Sequence, residues 1–440
     1  MDRSLVACLT GTFTLRFSTG LTGVLLGFYF VELAGVPGSS IGPFVVGLMA
    51  ATFYAAELVL APPFGILSDH AGHHRVMQVG PVFGAVAVML TGFTRAVAAL
   101  GGLLLLPVLA LTRILEGAST AASVPSILGY IAMVTAGDEQ LRGRSSALFE
   151  AATLGGLGLG FIVGPKLFEG IGVAGFFLNA VIYGVSFLIY RYGVADPRGE
   201  AELLARQHPD SLRKYLDLLS NAHVLLLAPT WIAINAAIGL WVSQSIFQFA
   251  KRDDRFPEQL LHRGFDANEI TVAAIVIAVI FGAGLLFWGN RFKSMRRTTI
   301  ILYGILGGAV LVGSGLVVNH SGQLPLALPL ACVGIAAAGL FVLAGATPAA
   351  LGLLADVSEA FPADRGAIMG LYSVFLAVGQ IAGSLIGGLA ADMRGIDGLL
   401  VATLILLAVA LVPLFRLRNL EHVVGLGGEV SLGGEAPSGA

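Results

Sequence analysis

Apolar stretches recur along this chain, most of them near or above the roughly 20 residues that a helix needs to cross about 30 Å of hydrocarbon. Only short charged segments separate them. The spans read at 5–33, 43–66, 78–94, 99–123, 145–167, 172–192, 224–249, 269–288, 298–318, 325–351, 366–390 and 397–415. In hydrocarbon each backbone N–H and C=O must find a partner without water, which leaves helices or closed barrels. Barrel strands would alternate in polarity over about ten residues, and these stretches do not. The expectation is an all-α membrane protein with twelve transmembrane helices. Charge agrees: 12% of the 440 residues are Asp, Glu, Lys or Arg, against about 25% in a soluble domain.

Loop charge orients the spans, because cytoplasmic loops collect Lys and Arg. With the N-terminus inside, 16 Lys and Arg fall in inside segments and 7 in outside ones, and Arg16 and Arg113 lie within spans. Both termini are therefore expected in the cytoplasm of a cell with an inner membrane. The N-terminus shows no cleavage-site pattern and reads as the first span. The longest polar stretch between spans, 194–223, divides the chain into six-helix halves at 1–193 and 224–418. Within this linker SLRKYLDLL has the spacing of a surface helix. Residues 419–440, rich in Gly, Ser and Glu, read as a disordered tail.

The same features exclude several classes. A net charge of −2 without a basic face gives no handle for nucleic acid. Cys8 and Cys332 sit in apolar segments, so neither a disulfide framework nor a zinc site is expected. No phosphate-binding GxxxxGK[ST] or zinc-binding HExxH pattern is present, so direct ATP drive, an enzyme and a cofactor are not expected. The expected partners are a small-molecule substrate, protons and membrane lipids, with the protein a monomer.

The halves resemble each other. At an offset of 223 residues Pro125 meets Pro348, Gly129 meets Gly352, and Arg142-Gly143 meets Arg365-Gly366. Phe149 meets Tyr372, and Gly156, Gly160 and Gly164 meet Gly379, Gly383 and Gly387. A parallel repeat points to a binding site at the midplane between the halves.

The segment after span two reads GILSDHAGHHRV, residues 65–76. Gly65 permits close helix approach, Asp69 can cap a helix or pair with a base, Gly72 permits a tight turn, and Arg75 is the cation. Asn290 and Arg296 repeat the Asp69–Arg75 spacing in the second half. This segment resembles the G-x-L-x-D-x-x-G-x-x-R signature of the major facilitator superfamily. RILEGASTA, from Arg113, resembles the R-x-x-x-G segment of that family. GLGLGFIVGP, 156–165 and ending in Pro165, resembles the span-five glycine motif of its antiporters, although KLFEG follows in place of the usual glycine pair. The resemblance covers residues 1 to about 418. It implies two six-helix bundles rocking about a central cavity, with Asp69 and Arg75 holding the cytoplasmic gate of the outward-open state. His70, His73 and His74 lie in the same segment, but read as solvated and without acidic or cysteine partners they do not make a metal site.

Ionisable residues within spans are costly, at least about 2.5 kcal/mol, and mark function by default. The first half carries Arg16, Glu57, Arg113, Glu116 and Glu150, and second-half span interiors carry none. Arg16 lies about 16 Å into span one and Glu57 about 12 Å above Gly65, at 1.5 Å per residue. A buried carboxyl beside an arginine is either a static pair or a proton switch, and Glu57 is the best switch candidate. Glu116, three residues from Arg113, suits a pair within its own helix, and Glu150 can snorkel. Gly156, Gly160 and Gly164 share a close-packing face. In the second half Asn235, Trp241, Gln244, Gln248, Tyr372 and Gln380 could hydrogen-bond a substrate or equally a neighbouring helix. The reading is a proton-coupled exporter of an amphipathic or lipophilic compound. A nutrient symporter or uniporter of the same fold is the alternative, as is a lipid- or pigment-binding protein without transport.

Overall fold

The computed structural model describes residues 2–36, 40–99, 104–135, 138–195, 222–291, 294–359 and 365–424. Among these residues every regular element is helical. The helices are α1 (Arg3–Ala34), α2 (Pro43–Ala71), the single turn α3 (His73–Val76), α4 (Val79–Ala99), α5 (Leu105–Val134), α6 (Glu139–Ile171) and α7 (Ala174–Gly193). The second half continues with α8 (Ala222–Ala250), α9 (Ala267–Arg291), α10 (Arg297–Asn319), α11 (Ala327–Leu343), α12 (Ala346–Glu359) and α13 (Arg365–Val424). Eleven segments of the described residues are long and apolar enough to cross a membrane. The last of them, Ser373–Asn419, is 47 residues long. It breaks into two arms at Arg394 and Gly395, where Gly395 takes φ +58°.

The long helices run alternately up and down. One end, here called proximal, holds the start of α1, the α2–α4 turn and the end of α7. Ser4 pairs there with the Tyr130 hydroxyl and accepts from the Ala195 N–H at 2.8 Å. The distal end holds the α8–α9 segment, where Gln259 accepts from the Ile396 N–H at 2.9 Å and donates to the Arg394 carbonyl at 2.9 Å. Those two bonds satisfy backbone groups that the break in α13 leaves open.

Several helix boundaries depart from the hydropathy reading. α2 continues to Ala71, so Gly65 and Asp69 are helical and not in a loop. α5 covers 105–134 instead of 99–123, because the Ser-, Thr- and Ala-rich stretch after Gly117 is buried against neighbours and needs no lipid-grade hydrophobicity. The tenth span is split by a turn at Ala344–Gly345. α13 continues to Val424, past the expected start of the tail at 419. Most of the linker (196–221) and residues 425–440 lie outside the described residues.

α1 is the axis of the first half. The Asn179 amide donates to the Ser18 carbonyl at 3.0 Å and to Thr22 Oγ1 at 2.9 Å, and Ser186 Oγ donates to the Gly11 carbonyl at 3.0 Å. On the other side α1 meets α6 without side chains between. A methyl added at Gly156 would sit 2.5 Å from the Phe13 carbonyl oxygen, and one at Gly160 would sit 2.5 Å from the Leu21 nitrogen. In the second half Gly379 stands under Asn235 and the Ile232 carbonyl, and Gly387 under Leu240. The glycine trios thus serve the α1–α6 joint and the α8–α13 joint alike.

Contacts between the halves include four toward the distal end. The Gln244 amide donates to the Pro43 carbonyl at 2.9 Å. Gly27 lies under Ile246, Gly47 under Ser384, and Gly388 against Pro43 and Phe44.

Candidate functional site

The membrane-embedded charges sort into two groups. Arg113 and Glu116 on α5 form a closed ion pair one helical turn apart, 4% and 2% exposed. Gly117, next along α5, packs on α2 at Phe53, Ala56 and Glu57, which seals the pair against the neighbouring helix. Nε and Nη2 of Arg113 have no hydrogen-bond partner among the described residues.

Arg16, Glu57 and Glu150 form the second group, drawn from α1, α2 and α6. Arg16 acts electrostatically on both carboxyls. Among the described residues no contact ion pair joins it to either. Arg16 and Glu57 are half-buried and Glu150 is exposed. The position of the trio follows from the α1–α6 joint, because Gly156 stands directly under the Arg16 Cβ and the Phe17 nitrogen. Tyr54, one turn before Glu57, lies within the field of Glu57, Glu116 and Arg16, and so links the two groups.

The Asp69–Arg75 segment differs from a solvated loop. Asp69 projects from the last turn of α2, and Gly72 ends that helix with φ +95°, a conformation that suits glycine. His73 and His74 are buried, contrary to their reading as loop histidines. His73 Nδ1 is 3.0 Å from Ser68 Oγ, its Nε2 is 4.0 Å from Asp69, and its ring packs over Gly129 of α5. The histidine thus fills the wedge between α2 and α5. Gly65 approaches Pro125 of α5.

The second-half candidates separate. Gln244 holds Pro43 across the halves, and Gln248 donates to it at 3.2 Å. The Asn235 amide turns back to the Trp231 carbonyl at 2.9 Å. Trp241 Nε1 donates to Thr403 Oγ1 at 2.9 Å and the ring stacks on Phe249. Gln380 is buried under Gly239, and its Oε1 has no partner among the described residues. The Tyr372 side chain lies outside the described residues. In this conformation Asn235 and Gln248 bond within α8, and Gln244 bonds to another helix, where such a bond contributes about 0.6 kcal/mol.

One stripe escaped the sequence reading. Asn179, Tyr183, Ser186 and Tyr190 on α7 recur at helical spacing, are all buried and face α1. Tyr183 lies within the field of Glu116 and Arg113, and its hydroxyl is 3.5 Å from Thr19 Oγ1. The signal was the 4-3-4 spacing of polar residues within an apolar span.

A bundle of membrane-length helices with charges held inside it is a multi-pass membrane protein, and the family its sequence matches is one of transporters. The chain belongs to the Major Facilitator Superfamily, whose family model matches residues 8–254 and 256–430. Multidrug resistance protein 2 of Bacillus subtilis (strain 168) is 24% identical over 376 residues, 83% of each chain. A cercosporin MFS transporter of Cercospora nicotianae is 36% identical over 113 residues, 24% of this chain and 19% of that protein. Among solved structures, the nucleoside transporter NupG superposes with a TM-score of 0.69 at 15% identity, covering 95% of this chain and 99% of its own.

Proposed function

We propose that this protein is a proton-coupled exporter of an amphipathic or lipophilic small molecule, working by alternating access. In this reading two pseudo-symmetric six-helix bundles, twelve spans in all, rock about the space beside Arg16, Glu57 and Glu150. The observation that carries it is one arginine on α1 that acts on carboxyls of two other helices without a contact pair to either. Such a set can change its protonation when the helices shift, whereas the closed Arg113–Glu116 pair suits a fixed strut. The likeness to a protein named for multidrug resistance supports a drug-like cargo. The test is purified protein in proteoliposomes under an imposed pH gradient. A lipophilic substrate found by thermal-shift screening should move against the proton flow, and adding it should speed proton movement. Substrate flux with no proton movement would reject the coupling, and binding without flux would reject transport.

The orientation proposed with this reading places both termini and residues 194–223 in the cytoplasm of an inner membrane. The loop-charge bias supports it. An impermeant thiol reagent applied to whole cells should label a cysteine placed at position 260 and spare one placed at 206. The reverse pattern would invert the orientation.

A further inference from the structure

At the distal end the segment that joins α8 to α9 folds over the break in α13 and buries a histidine there. His262 closes a 3-10 turn at Leu260–His262 and is 2% exposed. Its ring packs over Gly395, where an added methyl would lie 2.7 Å from Nε2. It also lies tilted against Phe256, with ring centres 5.8 Å apart. Neither ring nitrogen makes a hydrogen bond among the described residues. A phenyl ring would fill this place without the desolvation that an unpaired imidazole costs. The cover is one layer of chain, in which Asp254, Arg255, Glu258 and Arg263 are exposed.

The surroundings leave a protonated imidazole poorly matched. Burial pushes His262 below the ordinary histidine value of 6.5, and the charges of Lys251 and Arg255 act in the same direction. Asp253 and the Lys251 backbone act the other way, the backbone from outside hydrogen-bonding geometry. Asp253 is itself taken by Arg255 at 2.8 Å. On the α13 side Asp397 accepts from the Asn319 amide and meets His320 Nε2, each at 2.8 Å. Asp392 and Arg394 are exposed, and Asp392 acts on Arg255. From α9, Glu269 is taken by Arg263. The segment matters to α13 because Gln259, one turn before His262, satisfies the Ile396 N–H and the Arg394 carbonyl.

We propose that His262 is an acid-sensitive latch, whose protonation releases the α8–α9 segment from the break in α13. The closed segment holds the imidazole neutral, and the open one lets it bind a proton. The latch is therefore fully in place above the ordinary histidine value and weakens as pH falls below it. The proposal does not depend on the cargo or on the direction of transport.

The test is hydrogen exchange of the full-length protein in detergent micelles, corrected for the intrinsic effect of pH on amides. Exchange of residues 253–265 should quicken severalfold between pH 7.5 and pH 5.5, by at most about tenfold for one such group, while α7 stays unchanged. His262→Phe should keep at pH 5.5 the protection that wild type shows at pH 7.5. His320→Gln removes the neighbouring histidine and should respond as wild type does. No response in wild type, or a response kept in His262→Phe, would overturn the latch, as would its loss in His320→Gln. If His262→Phe opens the segment at pH 7.5, the wild-type profile decides. Onset near or below pH 6.5, kept in His320→Gln, supports the latch, and onset well above that value overturns it.

Discussion

Replacing Glu57 by glutamine should abolish pH-gradient-driven flux while leaving substrate binding and substrate exchange in place. The substitution keeps the shape of the side chain and removes only its titration. Moving a two-state equilibrium from 1:99 to 99:1 takes about 5.5 kcal/mol, equal to about four units of differential proton affinity between the access states. A carboxyl can reach part of that range if its distance to a cation changes, and Glu57 faces Arg16 from a separate helix without a contact pair. Glu116 lacks this freedom, because Arg113 sits three residues away on the same helix. Glu150→Gln should slow coupled flux less, because Glu150 is exposed near the proximal end of α6. Proton flux measured with a fluorescent pH indicator, beside substrate uptake in the same vesicles, separates these outcomes. Proton-driven transport at the wild-type rate in Glu57→Gln would assign that residue to packing and leave Glu150 as the coupling candidate.

The second large effect is expected at Gly160. A Cβ there would lie 2.5 Å from the Leu21 nitrogen and 2.6 Å from the Phe17 carbonyl oxygen. Those atoms are backbone, so relief requires α1 and α6 to separate. Ordinary overpacking costs about 1–3 kcal/mol, and displacing two helices over this joint should reach or exceed the upper end. Gly160→Val should therefore lose most of its monodisperse yield, with the remaining protein melting several degrees below wild type. Gly158, half a turn away, has nothing within 4 Å of its added methyl. Gly158→Val should stay within about 0.5 kcal/mol of wild type, the range of surface substitutions. Size-exclusion profiles after a heating series compare the two directly. Equal behaviour of the variants would mean that α1 and α6 do not meet through Gly160.

The limits of the sequence are clearest where hydropathy meets packing. Apolar length located the spans because lipid exposure acts on contiguous residues, whatever their neighbours are. It misjudged α5 because polar side chains there face other helices, and burial in protein is invisible to a window average. The histidines show the same gap. Nothing local distinguishes a solvated His73 from one wedged against Gly129 of a helix more than fifty residues later.

The sequence by itself determined that this chain crosses the membrane many times. That is a property of composition and spacing along the chain. The tertiary structure alone decided which charges are locked and which stand apart. Arg113 closes on Glu116, while Arg16 on α1 is shared between α2 and α6. It also committed Gln244 to the joint with Pro43, a partner 201 residues away. The physical reason is that ion pairing and hydrogen bonding depend on ångström distances between side chains on different helices. Those distances are set by how closely glycine-lined faces allow the helices to approach.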